Sequence, residues 1–540
     1  MKTIPFKQFC GKDYTAFSSK PDGQKLINLY REAVQSGDGE NEYCLIKTPG
    51  CRRVLRPSGG NGRFRGSIEL NEHLFVVVDN YVYDLLPDFT LNPAVTPQPI
   101  ADDGLPVSMA IDNVSLAIVS AGILHAIIGG VVSTPATLAA PLFIVTLRGY
   151  WIMVGPPTPD QLIYFSINLT TWLPLDFQTP EGAPNNILAG IVDHEEFWAV
   201  GNRVTQVFTI SGDADTPLMP RQDAVIMNGI QARASLCQLD DTLFWLAQNR
   251  SGHATVVRAT GYQPDKVTTY ATSNALRSLS RIDDAIALPF QLNGHEHVWF
   301  TFPTADRTLG FDATENAWYE VASWNVTAGQ YERHRANTMA AAFGKILLGD
   351  HTTGWLYELS PDIYDDADVP IRYMRETPHI TQLNKRVSIS RCEVFAETGM
   401  GLSPPRWLND YSIDEVTFDA AVLARQFLGQ ITAAQAAVLT AIYDVENYDP
   451  TVVLPGDDIM TGLGFVAWGV DPQLTMQISW DGGKTWSDEF SRSLGKIGEY
   501  DLQIQWNRLG AGRDPVLRFF GDSPTKICFT GAALDVEVFG

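Results

Sequence analysis

Along this chain, apolar runs repeatedly meet a short Gly, Asp or Asn turn and continue as alternating aromatic and polar residues. Such alternation has the period of paired β-strands. The clearest copies are 75–85 (FVVVDNYVYDL), 197–210 (FWAVGNRVTQVFTI), 244–258 (FWLAQNRSGHATVVR), 299–311 (WFTFPTADRTLGF) and 346–359 (ILLGDHTTGWLYEL), and weaker copies begin near Leu116 and Trp151. The seven starts at 75, 116, 151, 197, 244, 299 and 346 lie 35 to 55 residues apart. A four-stranded propeller blade takes about 40 to 50 residues, so the spacing predicts a mainly β fold built on a β-propeller of six to eight blades. A β-sandwich of unrelated hairpins would give the same aromatic alternation, with a less regular spacing.

The pattern changes near residue 365. An acidic segment at 362–368 (DIYDDAD) gives way to an extended stretch carrying Arg372, Arg375, Lys385, Arg386 and Arg391. Alternating runs at 387–397, 474–480, 500–506 and 516–520 then predict a C-terminal β-sandwich or platform. Within it, Ser412-x-x-Glu415 and Thr432-x-x-Gln435 have capping-box form and flank Gly429, which predicts a helical-hairpin insertion at about 412–445. The expected division is a segment 1–60 leading into the platform or the first blade, a propeller over 61–365, and the platform over 366–540.

One stretch, 114–132 (VSLAIVSAGILHAIIGGVV), approaches membrane-spanning length. Ala121-Gly122 and Gly129-Gly130 punctuate its β-branched runs, His125 interrupts its apolar surface and no Lys or Arg flanks it. Buried strands with turns fit these features, and no membrane span is expected.

Composition agrees with an all-β chain: among 540 residues there are 44 Gly, 32 Pro, 13 Trp, 18 Tyr and 26 Phe. The 39 Lys and Arg stand against 62 Asp and Glu, a net charge of −23 with no basic block. This excludes a conventional DNA-binding footprint but suits a conduit that repels the polymer and lets it slide. The six cysteines, Cys10, Cys44, Cys51, Cys237, Cys392 and Cys528, form no C-x-x-C pair, and the opening residues lack the apolar core of a secretory signal. Assembly with free thiols in a reducing cytosol is expected.

Three motifs invite chemistry. Ser479-Trp480-Asp481-Gly482-Gly483-Lys484-Thr485-Trp486 is an Asp box, whose Ser and Asp bond to turn backbone while the Trp packs beneath, so it stabilises a hairpin without reporting catalysis. His295-Glu296-His297 alternates both imidazoles onto one strand face as a zinc site would, but no third ligand is recognisable nearby and a solvated His pair at a hairpin mouth is expected. Gly59-Gly60-Asn61-Gly62-Arg63-Phe64-Arg65-Gly66 could cradle a phosphate, yet a strand follows where a cradle needs a helix N-terminus. No nucleophile elbow, H-E-x-x-H helix, P-loop or kinase signature occurs, so nothing specifies catalysis.

Three stretches resemble the packaged-DNA stabilisation proteins, or tail hub (nozzle) proteins, of short-tailed phages. The first runs from Pro49-Gly50 through the Gly-rich loop to Leu74-Phe75-Val76-Val77-Val78 and Tyr81-Val82-Tyr83, and is similar to that family's opening hairpin. The second runs from Ile163-Tyr164-Phe165-Ser166 through Thr171-Trp172 and Phe197-Trp198-Ala199-Val200-Gly201 to Gly261-Tyr262-Gln263-Pro264. The third joins Trp480 to Trp486 with Arg492-Ser493-Leu494-Gly495-Lys496-Ile497-Gly498-Glu499-Tyr500, Trp506-Asn507-Arg508-Leu509-Gly510 and Arg513-Asp514-Pro515-Val516.

The resemblance implies a structural virion protein and not an enzyme, assembled in the host cytoplasm and resident in the virion tail. It implies a ring of identical subunits, expected to be a hexamer, below the portal and its adaptor (the head-to-tail connector). Such a ring meets tailspikes or fibres and a tail needle or plug, retains packaged double-stranded DNA without specific binding, and conducts it during ejection. It transfers no catalytic, cofactor-binding or metal residue, names no channel-lining residue, and gives the insertion at 412–445 no role. The competing reading is a tail-associated carbohydrate-binding or sialidase-like propeller, which should carry paired acids or an arginine cluster at its axis. A bacterial surface propeller is a second alternative, and should carry an export signal.

Overall fold

The structure is a computed structural model that describes residues 2–15, 23–35, 41–93, 95–137, 139–158, 160–179, 186–248, 254–367, 369–381, 385–400, 471–496 and 498–539. The expected helical hairpin at 412–445 lies outside the described residues.

Among these, seven antiparallel blades close into a propeller. Blade 1 is Phe64–Leu70, His73–Val78, Tyr81–Leu85 and Gln98–Pro99, and blade 2 is Ser108–Ile111, Ser115–Ser120, Ile123–Ile128 and Val131–Ser133. The stretch 114–132 is therefore three strands of one blade, and no helix among the described residues is long and apolar enough to cross a membrane. Blades 3 and 4 begin at Phe143–Leu147 and Ile187–Asp193, and blade 5 centres on Thr242–Gln248 and Ala254–Thr260. Blade 6 is Ile286–Leu292, His295–Phe302, Arg307–Asp312 and Ala317–Asn325.

In six of the seven blades the first hairpin turns on two residues, the first of them with positive φ (Asn71, Arg148, His194, Asp240, Asn293 and Phe343), and in blade 2 the second hairpin does so at Ala121, all between 46° and 55°. Turns of this hand match the right-handed twist of the strands they join, and so fix the register of each blade. Only Asn293-Gly294 has the sequence such turns favour. At Arg148 and Phe343 the blade imposes the conformation on side chains that seldom choose it.

Each gap between neighbouring blades holds its own apolar core. Trp151 and Trp172 fill the gap between blades 2 and 3, Trp198 and Trp245 that between 4 and 5, and Phe300 with Trp318 that between 5 and 6. Burying a large aromatic side chain stabilises by about 2–3 kcal/mol, which is why the blades are aromatic-rich.

Blade 7 takes three strands from the end of the propeller, Ala336–Ala342, Lys345–Asp350 and Leu356–Ser360, and its fourth, Gly50–Leu55, from the beginning. Residues 1–60 thus supply both the strand that closes the ring and strands of the platform, among them Lys2–Pro5, Leu29–Ala33 and Tyr43–Lys47. One platform sheet runs Leu29–Ala33, Tyr43–Lys47, Cys528–Phe539, Arg386–Ala396, Ile504–Gly512. The other continues blade 6 itself: Ala317–Asn325 pairs with Gly23–Ile27, which pairs with Tyr373–Glu376 and so leads to Val516–Gly521 and Gln473–Ser479. Blade and platform share one hydrophobic core containing Trp299, Tyr357, Tyr373, Phe519 and Phe529.

His334 lies in the gap between blades 6 and 7, its ring edge-on to Trp299 at 4.7 Å and its Nδ1 accepting the Ala336 N–H at 3.2 Å. Burial pushes its pKa down to about 4. The unfolded chain therefore binds this proton between pH 6.5 and 4 while the folded one does not, and stability falls as pH falls through that window, by up to about 3 kcal/mol. His334→Gln should flatten this slope in urea unfolding measured from pH 7 to pH 4; an unchanged slope would show that His334 does not carry it.

Candidate functional site

The Asp box closes the hairpin between Gln473–Ser479 and Phe490–Ser493. Asp481 Oδ1 accepts the Lys484 and Thr485 N–H groups at 3.0 and 2.9 Å, and Ser479 Oγ accepts the Gly483 N–H at 2.8 Å. These bonds hold the Asp481 carboxyl well below the usual carboxylate range. Trp486 packs under the Arg518 guanidinium, 3.7 Å from its ring centre. The Ser479 and Asp481 side chains serve the turn, as the sequence implied.

The Gly-rich loop leads into strand Phe64–Leu70, and the Arg65 side chain turns to other work. Arg65 is 1% exposed. Its guanidinium donates to the carbonyls of Leu105, Asp79 and Ala101, to Asp103 Oδ1 at 2.7 Å and to Ser120 Oγ at 2.7 Å, tying blade 1 to blade 2. The Arg63 backbone N–H is held by Asp79 Oδ1 at 2.9 Å.

The innermost strands of all seven blades surround an axial cavity of about 340 Å³, with Arg65, Phe143, Ala189, Arg233, Leu288 and Asn337 among its walls. Its described lining contains two arginines and no carboxylate. Arg233 spends Nη1 on the Leu142 carbonyl at 3.0 Å. A volume of this size holds on the order of ten waters, far less than even a short length of DNA duplex occupies.

The His pair departs most from expectation. His295 and His297 are not solvated: they are 5% and 1% exposed, because strand Leu29–Ala33 lays Tyr30 edge-on against both rings at 5.2 and 5.3 Å. They stack with planes 6° apart. A third candidate ligand is present after all, Asp312, the cross-strand partner of His297. One donor atom from each of the three residues lies within 4.8 Å of the others.

His295 Nδ1 meets Asp312 Oδ2 at 2.7 Å, and its Nε2 lies 3.4 Å from Glu32 Oε2. The Asp312 hydrogen bond raises the His295 pKa, whereas burial pushes His297 down to about 4. Asp312 Oδ1 accepts the Thr314 and Glu315 N–H groups at 3.0 and 3.2 Å. Sequence reasoning missed Asp312 because it stands 15 residues beyond His297, at the end of the next strand, and only pairing register joins them.

Comparison with known families agrees with this architecture. Residues 23–364 match the family model described as bacteriophage P22 Gp10, beta-propeller, and residues 458–537 match that described as bacteriophage P22 Gp10, beta-sandwich. No curated protein sequence matches. Solved structures similar to the chain include YCF48 bound to D1 peptide, 13% identical with a TM-score of 0.34, over 58% of this chain and 98% of that one. The Neurospora crassa Pan2 WD40 domain is 10% identical with a TM-score of 0.35, over 58% and 95%. PorZ, a surface component of the Porphyromonas gingivalis type-IX secretion system, is 9% identical with a TM-score of 0.31, over 63% and 44%. At such scores nothing further is inferred from these three.

Proposed function

The chain belongs to the bacteriophage P22 Gp10 family of phage tail structural proteins, and from that premise we propose that it forms a ring below the portal adaptor that retains packaged DNA and conducts it during ejection. The observation that carries the reading is the family match over both the propeller and the sandwich. Two physical features support it.

The propeller axis is too narrow for a duplex, so a conduit in this protein has to run between subunits. A net charge of −23 gives such a conduit walls that repel phosphates and do not trap them. Closure of the ring requires two different, complementary faces on each subunit. The partners on this reading are further copies of the chain in a hexamer, the adaptor, tailspikes or fibres and a needle or plug, assembled in the host cytoplasm.

Light scattering and electron microscopy of the purified protein, alone and with portal–adaptor complexes, test the proposal. Six copies added to the adaptor around a duplex-wide channel are the expected result. A monomer that ignores the adaptor, or a channel lined mainly by Lys and Arg, would overturn it.

A further inference from the structure

We propose that His295, His297 and Asp312, with Glu32 at the mouth, form a site for one divalent transition-metal ion of the zinc class. Two imidazoles with carboxylate oxygens suit zinc-like ions, whereas magnesium and calcium select oxygen-only sets. His295 and His297 come from strand His295–Phe302, Asp312 from Arg307–Asp312 and Glu32 from Leu29–Ala33, so three strands converge on one point.

The spacing nearly fits an ion as it stands. Ligands about 2.1 Å from zinc lie at most about 4.2 Å apart, so donors within 4.8 Å close on a metal by side-chain movements of about half an ångström. The outer contacts that orient such ligands are also in place. Tyr319 Oη lies 3.0 Å from His297 Nδ1 and can accept a hydrogen bond from it, leaving Nε2 free to ligate. Two backbone N–H groups hold Asp312 Oδ1, which leaves Oδ2 facing the imidazoles.

Glu32, 3.4 Å from the other nitrogen of His295 and 42% exposed at its side chain, marks the way in. This inference does not depend on ring formation.

The test uses the full chain without a histidine tag. After dialysis against zinc and then metal-free buffer, elemental analysis should find about one zinc per chain, and cobalt added to metal-stripped protein should give the visible absorption of a low-coordinate site. Asp312→Asn should weaken binding about 10- to 100-fold. Glu32→Gln, at an exposed position that leaves the core untouched, should weaken it by a smaller factor. Wild-type protein that retains no zinc and gives no cobalt band overturns the proposal whatever the variants do, as does binding that is undiminished in both variants.

Discussion

Gly50→Ala is expected to destabilise the protein by about 3 kcal/mol or more, at the upper end of overpacking costs. A Cβ at this position would lie 2.2 Å from the Asp365 carbonyl oxygen, 2.6 Å from that of Ile363 and 2.9 Å from the Asp365 nitrogen. All three are backbone atoms, so no rotamer change relieves the clash. Gly50 begins the strand that closes blade 7, and its N–H donates to the Ile363 carbonyl at 2.8 Å.

The next residue binds the same segment. Cys51 is paired with Leu359 on one side and Asp366 on the other, its thiol donates to Asp366 Oδ1 at 2.9 Å, and its carbonyl accepts the Ala367 N–H at 2.8 Å. Displacing residue 50 therefore disturbs both pairings of that strand, with Leu356–Ser360 and with Asp365–Asp366. Gly59→Ala is the control: its φ is +65° but nothing lies within 4 Å of the added atom, so only the left-handed backbone cost of about 1 kcal/mol is due. Denaturant unfolding of both variants decides the matter, and a Gly50→Ala loss no larger than the control's would mean the closing strand yields without cost.

The blades were legible because each is a local object. Residues 75, 116, 151, 197, 244, 299 and 346 all fall in the second strand of a blade, where apolar runs are fully buried and continue through a short turn. What escaped the sequence were facts of long-range pairing. Pro49-Gly50 reads as part of an opening hairpin, yet Gly50–Leu55 pairs with residues some 300 positions later. Arg65 belongs by sequence to a Gly-rich loop that could meet an anion, and only its position between blades 1 and 2 turns it inward. The helix Tyr270–Ser278, inserted after blade 5, carries its signal in Thr269, whose hydroxyl caps the Thr272 N–H at 3.1 Å, but nine residues are too few to interrupt a strand-dominated pattern.

Asn28 shows how the two halves of the fold are joined, and Asn28→Ala is expected to cost about 4 kcal/mol, since each buried polar group left without a partner costs about 1–3 kcal/mol. Asn28 stands between Gly23–Ile27, which extends blade 6, and Leu29–Ala33, which belongs to the opposing platform sheet. The chain changes sheets at this single residue, with φ at 53° and 1% exposure. Its side chain does what a strand backbone would do: Oδ1 accepts the Ala322 N–H at 2.9 Å, and Nδ2 donates to the carbonyls of Ala322 and Arg372 at 2.8 and 2.9 Å.

Alanine would strand those three backbone groups in the interior and add the strain of positive φ on a residue that avoids it. Asn28→Gly removes the strain but not the loss of bonds, so it should recover only about 1 kcal/mol of the deficit. Asn28→Asp should be as damaging as alanine, because a carboxylate faces two carbonyl oxygens where an amide donated to them. Unfolding free energies in the order wild type, Gly, then Ala and Asp together would establish that the amide pairs as a backbone surrogate. If aspartate instead matched the wild type, the bonds from Nδ2 would carry no weight, and the junction between blade 6 and the platform would rest on apolar packing alone.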